Sequence, residues 1–169
     1  MNYFELYEIP VSFLPDKTQV KQKFYELSRK HHPDFYTQEN EDEKSEALEK
    51  SSQVNKAYKI FKNPDETIKY VLQQKGLLEE EEKYQLPTDF LMEMLELNEQ
   101  LTDAKMEEDA SALAGIKETI KKEERKIYLP VKSIIEGFEE NKTTDSELLK
   151  VKEYYFKKKY LNRILATIQ

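Results

Sequence analysis

Glycine is nearly missing from this chain: only three occur in 169 residues. Tight β-hairpin turns draw on residues that tolerate a positive φ, glycine foremost, and abundant Glu, Lys, Leu and Gln favour helix over strand. The expected fold class is therefore all-α. With 38% apolar residues, including 11 Tyr and 8 Phe, the chain can build a core as one ordinary domain or two small ones. Charged residues make up 36% of the total, and no run approaches the roughly 20 apolar residues that a membrane-spanning helix needs. The opening Met1-Asn2-Tyr3-Phe4-Glu5 has no basic region ahead of an apolar one. The expectation is a cytoplasmic protein without a membrane partner. Zero cysteines exclude disulfides, thiolate metal sites and cysteine nucleophiles. A net charge of -7 argues against a general nucleic-acid binder.

Asp16-Lys17-Thr18-Gln19 has the form of a capping box, and Val20, Phe24 and Leu27 follow at helical spacing. These residues predict a helix from Lys17 to His31, stopped by Pro33. A polar loop from Asp34 to about Asn40 leads into a second amphipathic helix, on which Ala47, Ser51, Val54, Tyr58 and Phe61 recur at steps of four and three. The two should lie antiparallel. Asn63-Pro64-Asp65 ends the second and starts a short helix, Glu66 to Gln74, closed by Gly76. Residues 1–76 are expected to form one module. Residues 77–86 contain Glu79-Glu80-Glu81-Glu82, which repel one another and lack a periodic apolar face, so an exposed acidic connection is expected there. Thr88 or Asp89 can cap a helix to about Leu101. A segment from about Glu107 to Phe138 should kink or split at Pro130, and a last helix opens at Asp145-Ser146-Glu147. Residues 87–169 thus read as an antiparallel three-helix bundle.

Three features carry possible function. His32-Pro33-Asp34 follows the first long helix. By itself it fits a hydrolase pair or metal site, although no third ligand or nucleophile lies nearby in sequence, and it fits equally a helix stop with local hydrogen bonds. On that helix Lys21, Tyr25 and Arg29 are four apart and share a face. Between Lys17 and His31 the only acid, Glu26, is outnumbered by basic residues. Such a strip either steers an acidic partner or is an ordinary solvated face. On the helix from Asp89, residues Phe90, Met94, Leu97 and Leu101 form a core stripe. Met92, Leu95, Glu96 and Glu99 point the opposite way, with Leu91 on the flank. That second apolar surface, edged by acids, suits a partner site, packing against the first module, or additional core.

The string Tyr25-Glu26-Leu27-Ser28-Arg29-Lys30-His31-His32-Pro33-Asp34, followed by Gln53-Val54-Asn55-Lys56-Ala57-Tyr58-Lys59-Ile60, resembles the J-domain. Asn2-Tyr3-Phe4-Glu5-Leu6-Tyr7 is similar to its opening. Asn63-Pro64, Thr67-Ile68-Lys69-Tyr70-Val71-Leu72, Gly76 and Phe90-Leu91-Met92-Glu93-Met94-Leu95-Glu96-Leu97-Asn98-Glu99 then resemble the HscB family across both modules. Thr67-Ile68 stands where the family commonly has Arg-Ala. The resemblance implies a co-chaperone, not an enzyme, with no catalytic residues and no metal or cofactor of its own. It implies that His32, Pro33 and Asp34, with Lys21, Tyr25, Arg29 and Lys30, engage a DnaK/HscA-type 70-kDa heat-shock chaperone and stimulate its ATP hydrolysis. It further implies that Leu91, Met92, Leu95, Glu96 and Glu99 bind an IscU-type iron-sulfur scaffold protein, joined by Lys159 and Tyr160, where Tyr160 replaces the usual Phe. A J-domain co-chaperone with a different protein client is the alternative.

Overall fold

The computed structural model describes residues 1–32, 34 and 41–168. Among them every regular element is a helix: α1 (Tyr3–Leu6), α2 (Lys17–Lys30), α3 (Glu41–Lys62), α4 (Pro64–Gln74), α5 (Thr88–Met106), α6 (Ala110–Tyr128), α7 (Lys132–Glu136) and α8 (Asp145–Ala166), with a 3-10 turn at Leu129–Val131 between α6 and α7. The all-α class is borne out. Pro33, the expected stop, and the loop from 35 to 40 lie outside the described residues. The chain divides into two compact units, Met1–Gly76 with Phe138–Lys142, and Leu77–Gly137 with Thr143–Gln169.

In the first unit α2 and α3 pack side by side. Asp16 caps α2 by accepting from Gln19 N at 2.8 Å. Phe24 stacks on Tyr58 with ring centroids 3.9 Å apart, while His31, at the other end of α2, lines a hollow with Ala47 and Lys50. That pairing makes the helices antiparallel. Val20, Val54, Ala57 and Phe61 are buried, and α1 closes one end of their contact. Phe4 and Tyr7 set their rings 5.0 and 5.1 Å from Phe61. The fully buried Tyr7 hydroxyl donates to Val54 O at 2.7 Å, so the ring brings no unsatisfied polar atom inside. Burial pushes that phenol well above its ordinary range and keeps it a donor. α4 begins two residues earlier than its apolar spacing suggests, because Asn63 accepts from Asp65 N and Glu66 N and Pro64 occupies the first turn. Thr67 is buried too, its hydroxyl 2.7 Å from Ile60 O and 3.0 Å from Asn63 O.

In the second unit α5, α6 and α8 form the expected bundle around Met94, Ile120, Leu148, Val151 and Leu161. Pro130 cannot donate to the helical ladder, and α6 gives way there to the 3-10 turn and α7. α8 opens with a complete capping box between Thr144 and Glu147. Two expectations are corrected. Neither Thr88 nor Asp89 caps α5: Thr88 is its first residue, and the cap position is Pro87, without a side-chain hydrogen bond. Residues 77–86 are also not simply an exposed acidic tether. Leu78 is buried, Tyr84 stacks on Phe156 at 4.6 Å, and Glu82 meets Lys152 Nζ at 2.7 Å in a pair mostly withdrawn from solvent. Lys152, which also lies over the Tyr84 ring, offsets the charge repulsion expected of the acidic run.

Helix ends repeat one device. Gly76 closes α4 at φ +72°. α1 and α5 close in the same left-handed manner on glutamates, Glu8 at φ +54° and Glu108 at φ +52°. Glu8 N donates to Glu5 O at 3.1 Å and Ile9 N to Phe4 O at 3.0 Å; Glu108 N donates to Lys105 O at 3.2 Å and Asp109 N to Ala104 O at 3.0 Å. These are paired Schellman closures.

Candidate functional site

α2 and the turn that follows it gather one set of the predicted residues. Lys21, Tyr25 and Arg29 stand exposed, four apart on one face. Tyr25, Ser28, Arg29, His32 and Asp34 line an open hollow of about 730 Å³. Asp34 N donates to His32 Nδ1 at 3.2 Å, and Asp34 Oδ2 lies 3.6 Å from the same nitrogen. An Nδ1 that accepts from a backbone N–H places the proton of a neutral imidazole on Nε2. The Asp34 carboxylate is 85% exposed, so its contact with His32 contributes little to stability. Pro33 lies outside the described residues. Lys30 does not join the others: nine residues beyond Lys21, it falls on the opposite side of α2 at about 100° per residue. There its charge, after burial, is among the causes that hold the His31 pKa below its ordinary value. Sequence reasoning passed over Ser28, although its positions three after Tyr25 and four before His32 put it on the hollow's face.

α5 carries the other set. Phe90, Met94, Leu97 and Leu101 are buried, Met94 to 1% exposure. On the opposite side Met92 is 62% and Leu95 54% exposed, with Glu96 and Glu99 exposed beside them and Leu91 half-buried. The helix therefore has two faces, as its spacing predicts. Leu91 borders the α8 side, where the half-buried Tyr160 sets its ring 6.1 Å from Phe90 and its hydroxyl 3.3 Å from Asn98 Nδ2. Lys159 is exposed on α8, with its ammonium 6.0 Å from the Phe156 ring centre. Glu96 turns the other way and lines a hollow against α6 with Glu93 and Lys126. The predicted set thus divides, with Tyr160 on the Leu91 flank and Glu96 on the flank facing α6. Among the described residues no group of histidine and carboxylate side chains is arranged to hold a metal ion, and no helix is long and apolar enough to cross a membrane.

Residues 2–70 match the DnaJ domain family and residues 86–169 the family described as the HSCB C-terminal oligomerisation domain. A J-like helical hairpin with an open hollow at the end of its first long helix, followed by a bundle with a bare apolar stripe, is the build of a J-domain co-chaperone. The co-chaperone protein HscB homolog of Vibrio vulnificus (strain YJ016) is 36% identical over 124 residues, 72% of each chain, and the co-chaperone protein HscB of Proteus mirabilis is 35% identical over 114 residues, 67% of this chain and 66% of its own. The chain belongs to the HscB family. The crystal structure of human co-chaperone HscB superposes with a TM-score of 0.82 at 28% identity, covering 99% of this chain and 80% of that one. The Vibrio cholerae HscB structure gives 0.77 at 24%, covering 99% and 95%, and so shares the fold. The function is that of a co-chaperone to a 70-kDa heat-shock chaperone in iron-sulfur cluster assembly.

Proposed function

We propose that this protein delivers an IscU-type scaffold to a DnaK/HscA-type chaperone and triggers ATP hydrolysis there, performing no chemistry itself and working in the cytoplasm. Residues 1–76 act as the J-domain and residues 87–169 hold the client, with 77–86 between them. His32, Pro33 and Asp34 engage the ATPase, with Tyr25, Ser28 and Arg29 around the same hollow and Lys21 one turn back contributing to electrostatic attraction. Leu91, Met92 and Leu95 are the apolar anchors for the scaffold. Glu99 and Lys159 supply charged rim, Tyr160 supports the Leu91 flank, and Glu96 borders the surface from the α6 side. Binding both partners through one chain raises the effective concentration of client at the chaperone.

The observation that carries this reading is the division of α5, which spends one apolar stripe on the core and leaves Met92 and Leu95 in solvent. Exposed apolar side chains edged by acids are the composition of an interface core and rim. Calorimetric titration into a purified IscU-type scaffold tests it: saturable one-to-one binding is expected, and an absence of heat and of co-elution would reject this client.

A further inference from the structure

We propose that the groove between α5 and α6 is a docking site for a second kind of segment, a Lys/Arg-bearing amphipathic helix, a partner that goes beyond the scaffold reading. Two hollows of about 280 and 470 Å³ lie along this groove and share Gln100 and Thr119, which makes them continuous from Glu93 to Glu107. At about 1.5 Å per residue that is roughly 21 Å, the length of four helical turns. The floor is apolar, with Met94, Leu97, Ala104 and Ile116 all buried. The walls are acidic: five carboxylates (Glu93, Glu96, Asp103, Glu107 and Glu123) line it against one ammonium, Lys126. Lys126 already sits 3.6 Å from Glu93 and 3.7 Å from Glu123. Glu96, Asp103 and Glu107 are therefore left without a cation among the lining residues.

Gly115 points to the same occupant independently. It stands inside α6, where glycine is among the least favourable residues, and it lines the groove. A Cβ built there meets nothing within 4 Å, so packing among the described residues does not require the missing side chain. A glycine that internal packing does not demand allows a foreign backbone to approach closely. An apolar floor, acidic walls and that opening together fit a helix with small apolar residues on one face and Lys or Arg along its edges.

The probe is a labelled 15-residue helical peptide with Ala and Leu on one face and Lys or Arg at i, i+3 and i+4 spacing, titrated by fluorescence anisotropy into the full chain. A control peptide carries Glu at every basic position. The basic peptide alone is expected to bind. Gly115→Leu, which fills the opening without altering charge, should weaken binding at least about 10-fold. Asp103→Lys with Glu107→Lys should do the same, and cations in the last turn of α5 suit its dipole, so this variant stays folded. Glu46→Lys with Glu49→Lys on α3, an equal charge change elsewhere, should leave most of the binding intact. Equal weakening by the α3 pair, or wild-type binding by Gly115→Leu, overturns the proposal. So does sedimentation that shows wild-type dimers turned to monomers by Gly115→Leu, because the occupant would then be a second copy. Titration of Gly115→Leu into the IscU-type scaffold should match wild type; a loss there would merge the groove with the scaffold face and overturn the separate site.

Discussion

Replacing Met92 and Leu95 together by Ala separates interface from core on a single helix. With 62% and 54% of these residues already exposed, truncation removes little buried surface, and the stability cost should stay within about 0.5 kcal/mol per site. Met94, two positions from Met92 and 1% exposed, supplies the internal standard, since Met94→Ala should cost about 2–5 kcal/mol. Binding should move the other way. Truncating a desolvated interface anchor costs about 2 kcal/mol or more, so the double variant should lose about 4 kcal/mol. That is close to a thousandfold in Kd, enough to carry a micromolar complex with an IscU-type scaffold into the millimolar range. Adding Leu91→Ala should deepen the loss, with a modest stability cost because Leu91 is half-buried. Urea denaturation and calorimetric titration on the same preparations give both numbers. A double variant that unfolds as readily as Met94→Ala would show these side chains to be core, and one that stays folded and binds with unchanged affinity would place the interface elsewhere.

Asp34→Asn should abolish stimulation of the chaperone ATPase while helix content and scaffold binding stay at wild type, and His32→Gln should do likewise without adding to it, because both act through one turn; stimulation equal to wild type would refute the assignment. Arg29→Glu should reduce stimulation and its salt dependence far more than Lys30→Glu, since Lys30 lies on the far side of α2; equal effects in ATPase assays across an ionic-strength series would contradict the geometry. Glu82 is held below the ordinary carboxylate range by its hydrogen bond from Lys152, assisted by Glu79 N against its burial. Its stabilising contribution is therefore present above the unfolded glutamate pKa of about 4.3 and lost as pH falls through the lower folded value. The melting difference between wild type and Glu82→Gln should be greatest at neutral pH and vanish across that acid window. Thr67→Val should cost about 1 kcal/mol in urea denaturation, because the buried hydroxyl gives up its backbone acceptors.

Periodicity made most of the helices legible. Val54 and Phe61 mark the buried side of α3, Phe90, Met94, Leu97 and Leu101 that of α5, and Pro130 interrupts the α6–α7 segment as its missing N–H requires. Contacts between residues far apart in sequence were not readable. Nothing local to Glu79-Glu80-Glu81-Glu82 reveals that Lys152 waits 70 positions after Glu82, nor does the opening turn disclose that Tyr7 reaches Val54 O. Helix ends failed for a related reason. α5 runs past Leu101 to Met106 because its closure depends on the backbone angle of Glu108, and glutamate carries no turn signal. At the candidate sites the spacing rule placed Tyr25 with Arg29 and Met92 with Leu95. Lys30 entered that group through the resemblance, and the turn of α2 sets it on the side opposite Lys21.

The glutamates at these helix ends leave the fold room to change. Glu8 and Glu108 each hold an L-residue in the left-handed region, at about 1–2 kcal/mol, and set a negative charge where the helix dipole already concentrates negative potential. Glycine at either position would relieve both terms and return part of the gain as lost chain entropy, and at position 8 it would also give up the 3.6 Å surface pair with Lys23, a small loss. Since the cross-closing hydrogen bonds come from backbone atoms, a change of side chain leaves them in place. Lineages descending from this sequence thus hold a reserve of stabilising single substitutions, distant from Met92 and His32 in the chain, that can absorb destabilising changes made while either binding surface is retuned.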